Sequence, residues 1–282
     1  MKFLNAGADA YVPDGSTIEE ALKRTTYLSI GTHQDDCEIM AYHAISQCYD
    51  SDENWFTAVV LTDGRGSPRS GEFANYTNEQ IHIKRSAEQR VAADVGKYSA
   101  VIQLCYTSED VRTKRCEDVE EELTHIISLA KPKYIFTHNP IDRHETHLGA
   151  CIRIIHALRK TPRECRPEKV YGMEVWRSLD WLSDEERLLF DTSRYPNIEN
   201  GVITAYDSQC TPLKRFDLAA IGRRLGNATF QAPRDNDTTN SCSIGMDLTP
   251  LIEDEAMDIR AFALARIDRF YQDAKELLDT FI

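Results

Sequence analysis

Two short clusters carry residues able to do chemistry: His33-Gln34-Asp35-Asp36-Cys37-Glu38 and Asp142-Arg143-His144-Glu145-Thr146-His147. In each, two residues able to ligate a metal stand three positions apart, His33 with Asp36 and His144 with His147. Where a chain turns into a helix, residues at i and i+3 share a face, so each pair can converge on one point. Asp35, between the first pair, must aim elsewhere. Three protein ligands of nitrogen and oxygen type with an open position are what a catalytic zinc requires, and no cysteine spacing supports a closed structural site. Each cluster also has a plainer reading. A histidine beside carboxylates at a strand end is commonly solvated or capping, and either aspartate alone would serve as a helix N-cap. Recurrence of the pattern, both times where a strand gives way to a helix, points instead to a shared metal site.

The elements that must position these clusters follow from periodicity. Ser16 and Glu19 have capping-box spacing, predicting a helix over about 17–25 before the apolar run Tyr27-Leu28-Ser29-Ile30-Gly31, which reads as a strand. Glu38 to Cys48 spaces Ile39, Ala41, Tyr42, Ile45 and Cys48 as a helix would. A second strand, Thr57 to Thr62, ends at Asp63-Gly64-Arg65-Gly66 and opens a polar stretch to about residue 76. Thr77 and Gln80 start a helix that Gly96 should stop. The strand Ala100–Leu104, a helix over about 117–130, the strand Tyr134–Thr137 and a helix over about 144–159 continue the alternation. Such alternation predicts a Rossmann-like α/β fold, a mostly parallel doubly wound sheet whose ligands bind beyond the carboxyl ends of the strands. The loops 32–37, 63–76 and 138–146 all lie at such ends. Beyond them we expect a strand near 169–176, a helix over about 211–226, a polar stretch from Pro233 to Ser243 and an amphipathic helix over about 255–280. Its buried face would be Ile259, Phe262, Ala263, Ile267, Phe270, Tyr271, Ala274 and Leu278. The expectation is one domain over 1–282, with its core at about 27–165.

Composition narrows the partners. Thirty-three basic against 46 acidic residues leave a formal charge of −13, which repels nucleic acid and anionic lipid and leaves a small molecule as the expected partner. A homo-oligomer stays open. Eight cysteines without a C-x-x-C pair read as reduced thiols, hence a cytoplasmic protein, and neither a secretory signal nor a membrane span is visible.

These motifs resemble those of the PIG-L-like, or LmbE-like, zinc de-N-acetylases, which act on N-acetylglucosamine-containing substrates. The first family motif, His-Pro-Asp-Asp-x-Glu, is met by residues 33–38 with Gln34 in place of proline, and the second, His-x-x-His, by His144 and His147. A Thr-Asp-Gly turn at Thr62-Asp63-Gly64 and an Arg-x-x-Glu pair at Arg85 and Glu88 also match. The resemblance spans about residues 27–160, while Asp207-Ser208-Gln209 and Gly222-Arg223-Arg224-Leu225-Gly226-Asn227-Ala228 look like a subgroup of such proteins. It implies Zn²⁺, replaceable by Fe²⁺ or Co²⁺, on His33, Asp36 and His147, with Asp35 as general base and His144 assisting at the carbonyl oxygen or the leaving amine. The implied reaction removes the N-acetyl group of a small, neutral N-acetylglucosamine-type sugar or glycoside. Thr146 stands where many members have an aspartate, so Asp142 or Glu145 would supply the missing carboxylate.

Most of the further residues have two readings. Asp63 and Arg65 contact substrate or simply make a turn. Arg85 reaches the site or pairs with Glu88. His138 lines the crevice or satisfies backbone groups, and Asp142 completes the set of substrate contacts. Trp176 and Trp181 stack on a sugar or belong to the core, and Cys37 reads as packing. Two rivals to the deacetylase remain: a zinc amidase on a thiol-sugar conjugate or other acylated amine, and a carbohydrate-binding protein without turnover.

Overall fold

The computed structural model describes residues 1–229 and 236–282. A short edge strand, β1 (Asp9–Tyr11), and a helix, α1 (Ile18–Arg24), precede β2 (Tyr27–Gly31). The capping box of α1 is formed by Thr17 and Glu20, one residue later than the Ser16 spacing suggests, because the Ser16 N–H is engaged by the Asp14 carboxylate at 3.0 Å. The helix expected over 38–48 is two helices, α2 (Asp36–Met40) and α3 (Tyr42–Cys48), broken at Ala41. Arg224 explains the break. Its guanidinium donates to the carbonyls of Glu38 at 2.6 Å and Ile39 at 3.0 Å, the acceptors a continuous helix would offer to residues 42 and 43.

Every residue of β3 (Phe56–Thr62) is buried, as befits a parallel strand covered on both faces. Helix α4 (Asn78–Gly96) starts at the expected Thr77–Gln80 box and ends one residue past Gly96, at Lys97 with φ 52°. Gly96 is required for space: a Cβ there would lie 2.2 Å from the Tyr98 ring. The alternation continues through β4 (Ala100–Tyr106), α5 (Cys116–Ala130), β5 (Tyr134–His138), α6 (Glu145–Lys160) and β6 (Lys169–Met173). Then come β7 (Leu188–Asp191), α7 (Pro196–Thr204), the hairpin β8 (Cys210–Thr211) and β9 (Lys214–Arg215), α8 (Phe216–Thr229), β10 (Cys242–Asp247), α9 (Pro250–Glu253) and α10 (Ile259–Phe281). The hairpin occupies the start of the helix expected from 211, so α8 begins at Phe216. The polar stretch expected from Pro233 begins outside the described residues, and its end, Cys242-Ser243, is strand.

The eight-stranded sheet runs β1-β4-β3-β2-β5-β6-β10-β7. Its five central strands are parallel, while β1, β10 and β7 pair antiparallel. From β2 the chain winds outward through β3 and β4, then returns to lay β5 on the other side of β2. The direction of winding therefore reverses between β2 and β5, which opens a crevice at their carboxyl ends. One face of the sheet is covered by apolar side chains of α5, α6 and the start of α10, including Leu123, Ile154 and Phe262. The other packs against α3, α4 and α7 through Ile45, Ala93 and Val202.

Helix α10 departs from its expected burial. Phe262 and Ala263 are buried, but Phe270, Tyr271 and Leu278 are 48, 63 and 58 % exposed. At 1.5 Å per residue, 23 residues extend about 34 Å, and the second half runs past the edge of the body. An apolar stripe looks the same in sequence whether or not something covers it. Among the described residues, no helix is long and apolar enough to cross a membrane.

Candidate active site

Both clusters arrive at the crevice between β2 and β5, His33 and Asp36 after β2, His144 and His147 after β5. Asp36 opens α2, and its Oδ2 accepts the backbone N–H groups of Thr32 at 3.0 Å and His33 at 2.7 Å, which fixes the carboxylate. The donor atoms form a near-equilateral triangle. His33 Nδ1 lies 3.2 Å from His147 Nε2, and each is 3.4 Å from Asp36 Oδ2. Ligands at zinc distances of about 2.0–2.2 Å stand roughly 3.3–3.6 Å apart along a tetrahedron's edge, so the three residues fit such an ion. His147 also belongs to both metal-capable groups that the described residues form, His33-His144-His147 and Asp36-His138-His147.

On the other side of its ring, His147 Nδ1 faces Asp142 Oδ2 at 3.3 Å, with both side chains shut off from solvent. Asp142 is held in turn by the His144 N–H at 2.8 Å. It therefore backs the His147 ring and does not line the crevice. Burial pushes the His147 imidazole down, but Asp36 and Asp142 outweigh it and its pKa is raised. Burial acts against the Asp36 carboxylate, yet His147, His138 and His33 hold it well below the usual range.

His138 is fully buried behind the triangle and stacks on His147, ring centroids 4.0 Å apart. Its Nε2 lies 3.0 Å from the Thr32 nitrogen and 3.4 Å from Asp36 Oδ2, and the residue is absent from the crevice wall. His144 is the N-cap of α6, its Nδ1 accepting the Thr146 N–H at 3.2 Å, which leaves Nε2 for the crevice. Burial and the neighbouring His147 lower its pKa.

Asp35 sits at φ 95°, a left-handed conformation that costs a non-glycine residue about 1–3 kcal/mol. The strained turn aims its carboxylate away from the triangle. The side chain makes no capping bond: Oδ1 accepts from Arg85 Nη2 at 3.4 Å, and Oδ2 has no hydrogen-bond partner among the described residues. Burial raises its pKa to about 7, with Arg85 pulling down and Asp36 pushing up.

Arg85 and Glu88 do not pair with each other. Arg85 donates to the Gln34 carbonyl besides meeting Asp35, whereas Glu88 accepts from Ser208 N–H at 2.8 Å and Oγ at 2.7 Å. Asp63 lines the crevice; Arg65 pairs with it at 3.3 Å and turns outward to Glu79 at 3.1 Å. Trp181 belongs to the core, while Trp176 is 44 % exposed at the crevice and stacks 6.3 Å from His144. Cys37 is fully buried as packing.

Sequence reasoning missed Lys214 and gave Gln209, within Asp207-Ser208-Gln209, no site role; both line the same crevice. Lys214 Nζ donates to Ser67 Oγ at 2.9 Å and the Pro68 carbonyl at 3.1 Å, and burial, helped by Arg85, lowers its pKa to about 8. It stands in a two-stranded hairpin far along the chain from both motifs, a position without any local signal. Altogether the polar crevice measures about 320 Å³.

Residues 28–158 match the family model PIG-L, GlcNAc-PI de-N-acetylase. No curated protein matches. Among solved structures, the N,N'-diacetylchitobiose deacetylase of Pyrococcus horikoshii is 16 % identical with a TM-score of 0.64, over 85 % of this chain and 96 % of that one. The 4-carboxy-2-hydroxymuconate hydratase GalB of Pseudomonas putida KT2440 is 16 % identical with a TM-score of 0.61, over 79 % and 96 %. The A40926 pseudoaglycone deacetylase Dbv21 is 15 % identical with a TM-score of 0.56, over 79 % and 97 %. At such identities these structures share a fold, and one of them is a hydratase, so reaction type must be argued from the site.

Proposed function

Because residues 28–158 form a PIG-L family domain, we propose that this chain is a zinc-dependent hydrolase that removes the N-acetyl group of a small amino sugar or its glycoside. The observation that carries the reading is the donor triangle of His33, Asp36 and His147 with an unligated carboxylate, Asp35, beside it. When bound there, zinc supplies Lewis acidity toward water and toward an amide carbonyl. The remaining work falls to the side chains.

Asp35 Oδ2 takes the proton of the attacking water. With its pKa near 7 it is a base matched to neutral pH; burial raises it and Arg85 limits the rise. An amide needs its leaving nitrogen protonated, so the same Asp35 atom, or His144 Nε2, returns a proton to the amine. His144, neutral and with Nδ1 committed to its helix, presents Nε2–H as a donor to the carbonyl oxygen as charge develops there. Asp63, Gln209 and Lys214 suit the hydroxyls of a sugar in the polar crevice. One domain formed by the whole chain, working as a cytoplasmic enzyme with all eight thiols free, completes the proposal.

Release of acetate and free amine measured across N-acetylglucosamine, its dimer, its phosphates and lipid-linked forms tests the reading. Chelator should abolish the activity and returning zinc restore it. Amide turnover unaffected by chelator would remove the metal from the mechanism, and hydration of an unsaturated acid with every amide left intact would assign the site to another reaction.

A further inference from the structure

A second, apolar cavity of about 110 Å³ opens beside the polar crevice and shares Asp35, Asp36, Trp176 and Phe216 with it. Its walls are Ile39, Val175, Trp176, Phe216, Ala219 and Ala220. Arg223, the remaining charged group on this wall, donates to the Val175 carbonyl. Trp176 lines both spaces, stacked toward His144 at 6.3 Å and edge-on to Phe216 at 5.8 Å.

An amide bound with its carbonyl at the donor triangle sends two arms apart from one carbon. The hydroxyl-bearing arm requires hydrogen-bond partners, which the crevice supplies through Asp63, Ser67, Gln209 and Lys214. The acyl arm requires none, and the apolar cavity reaches Asp35 and Asp36 with carbon walls broad enough to hold a chain. Its size exceeds the need of an acetyl methyl. A dry cavity of about 150 Å³ takes a benzene ring of six carbons, so by proportion this one has room for about four.

We propose that this side cavity is an acyl pocket, and that the substrate class is amino sugars N-acylated with chains of about four carbons in preference to acetyl. The proposal rests on the hydrolase reading above and extends it. Hydrolysis is unchanged in its balance: water adds to the carbonyl, the C–N bond breaks, and a short fatty acid and the amine leave.

The test uses zinc-loaded protein and glucosamine carrying acetyl, butanoyl, hexanoyl or decanoyl groups, with free amine as the readout. Two added methylenes buried in carbon surroundings should raise kcat/KM of the butanoyl over the acetyl compound about tenfold, and decanoyl should fall below butanoyl. Calorimetric titration with acetate and butanoate gives a readout independent of turnover, with butanoate about tenfold tighter. Ala220→Phe, which fills the cavity, should lower the butanoyl-to-acetyl ratio about tenfold, and the milder Ala219→Leu should shift it the same way. Acetyl turned over best, with butanoate binding no tighter than acetate, overturns the acyl pocket while leaving the hydrolase reading standing. Failure to cleave any of the four amides overturns both.

Discussion

Asp142 Oδ2 stands 3.3 Å from Nδ1 of His147, on the side of the ring opposite the nitrogen that faces Asp36 and His33. A carboxylate in that place fixes the ring's tautomer and makes the ligating nitrogen more basic. Asp142→Asn should therefore weaken zinc binding about 10–100-fold while the protein still folds. Competition with a chromogenic chelator measures it, and unchanged affinity would mean that the pair serves packing alone.

The two adjacent aspartates should separate cleanly. Asp36→Asn replaces a charged ligand in the triangle and should strip the metal. Asp35→Asn should keep metal content near that of the parent while lowering kcat about 10²–10⁴-fold with little change in KM. Metal analysis with kinetics on both variants checks the assignment. Loss of metal from the Asp35 variant alone would reverse it.

Lys214 predicts a pH signature in stability. Its folded pKa is about 8 against 10.5 when free, so between those values the unfolded chain binds more protons and stability rises with pH. The contribution is complete above 10.5 and is lost as pH falls through about 8. Lys214→Met removes the titration. Its stability relative to the parent should be most favourable at pH 7 and decline toward pH 10, apart from a constant offset for the hydrogen bonds to Ser67 and Pro68. Urea midpoints at several pH values test this, and parallel curves would refute it.

The exposed second half of α10 predicts tolerance. A chain ending at Arg269 loses side chains that touch little of the body, so its unfolding free energy should stay within about 0.5 kcal/mol of the parent. A larger loss in chemical denaturation would show that these residues are covered in solution.

How much of this was legible depends on how far apart the relevant residues lie. His33 and Asp36 share a point through local i, i+3 geometry, and so did the boundaries of β2, β3 and β5, whose apolar runs end sharply at polar residues. The order of the strands was not written locally: nothing near Tyr134 says that β5 pairs with β2. The short antiparallel strands β1, β7 and β10 were invisible because three to six residues of mixed polarity carry no period. Lys214 enters the site from the irregular region after β6, where neither spacing nor pattern marks it, and nothing local separates Trp176 at the crevice from Trp181 in the core. His138 and Asp142 were recognised as residues of interest, but which way each side chain turns is a property of the packed structure.

The reversal of winding between β2 and β5 has a consequence for how the protein assembles. Asp36 and His147 are 147 − 36 = 111 positions apart, yet their donor atoms must meet. Strands β2, β3 and β4 can associate in the order of synthesis, each beside its predecessor, whereas β5 has to travel back across the sheet to find β2. The donor triangle is thus a contact of high sequence separation, formed only after the costliest loop has closed. Metal uptake during refolding becomes a clock for that docking step, and the ion, once seated, is a rivet between the two windings whose binding energy resists their separation.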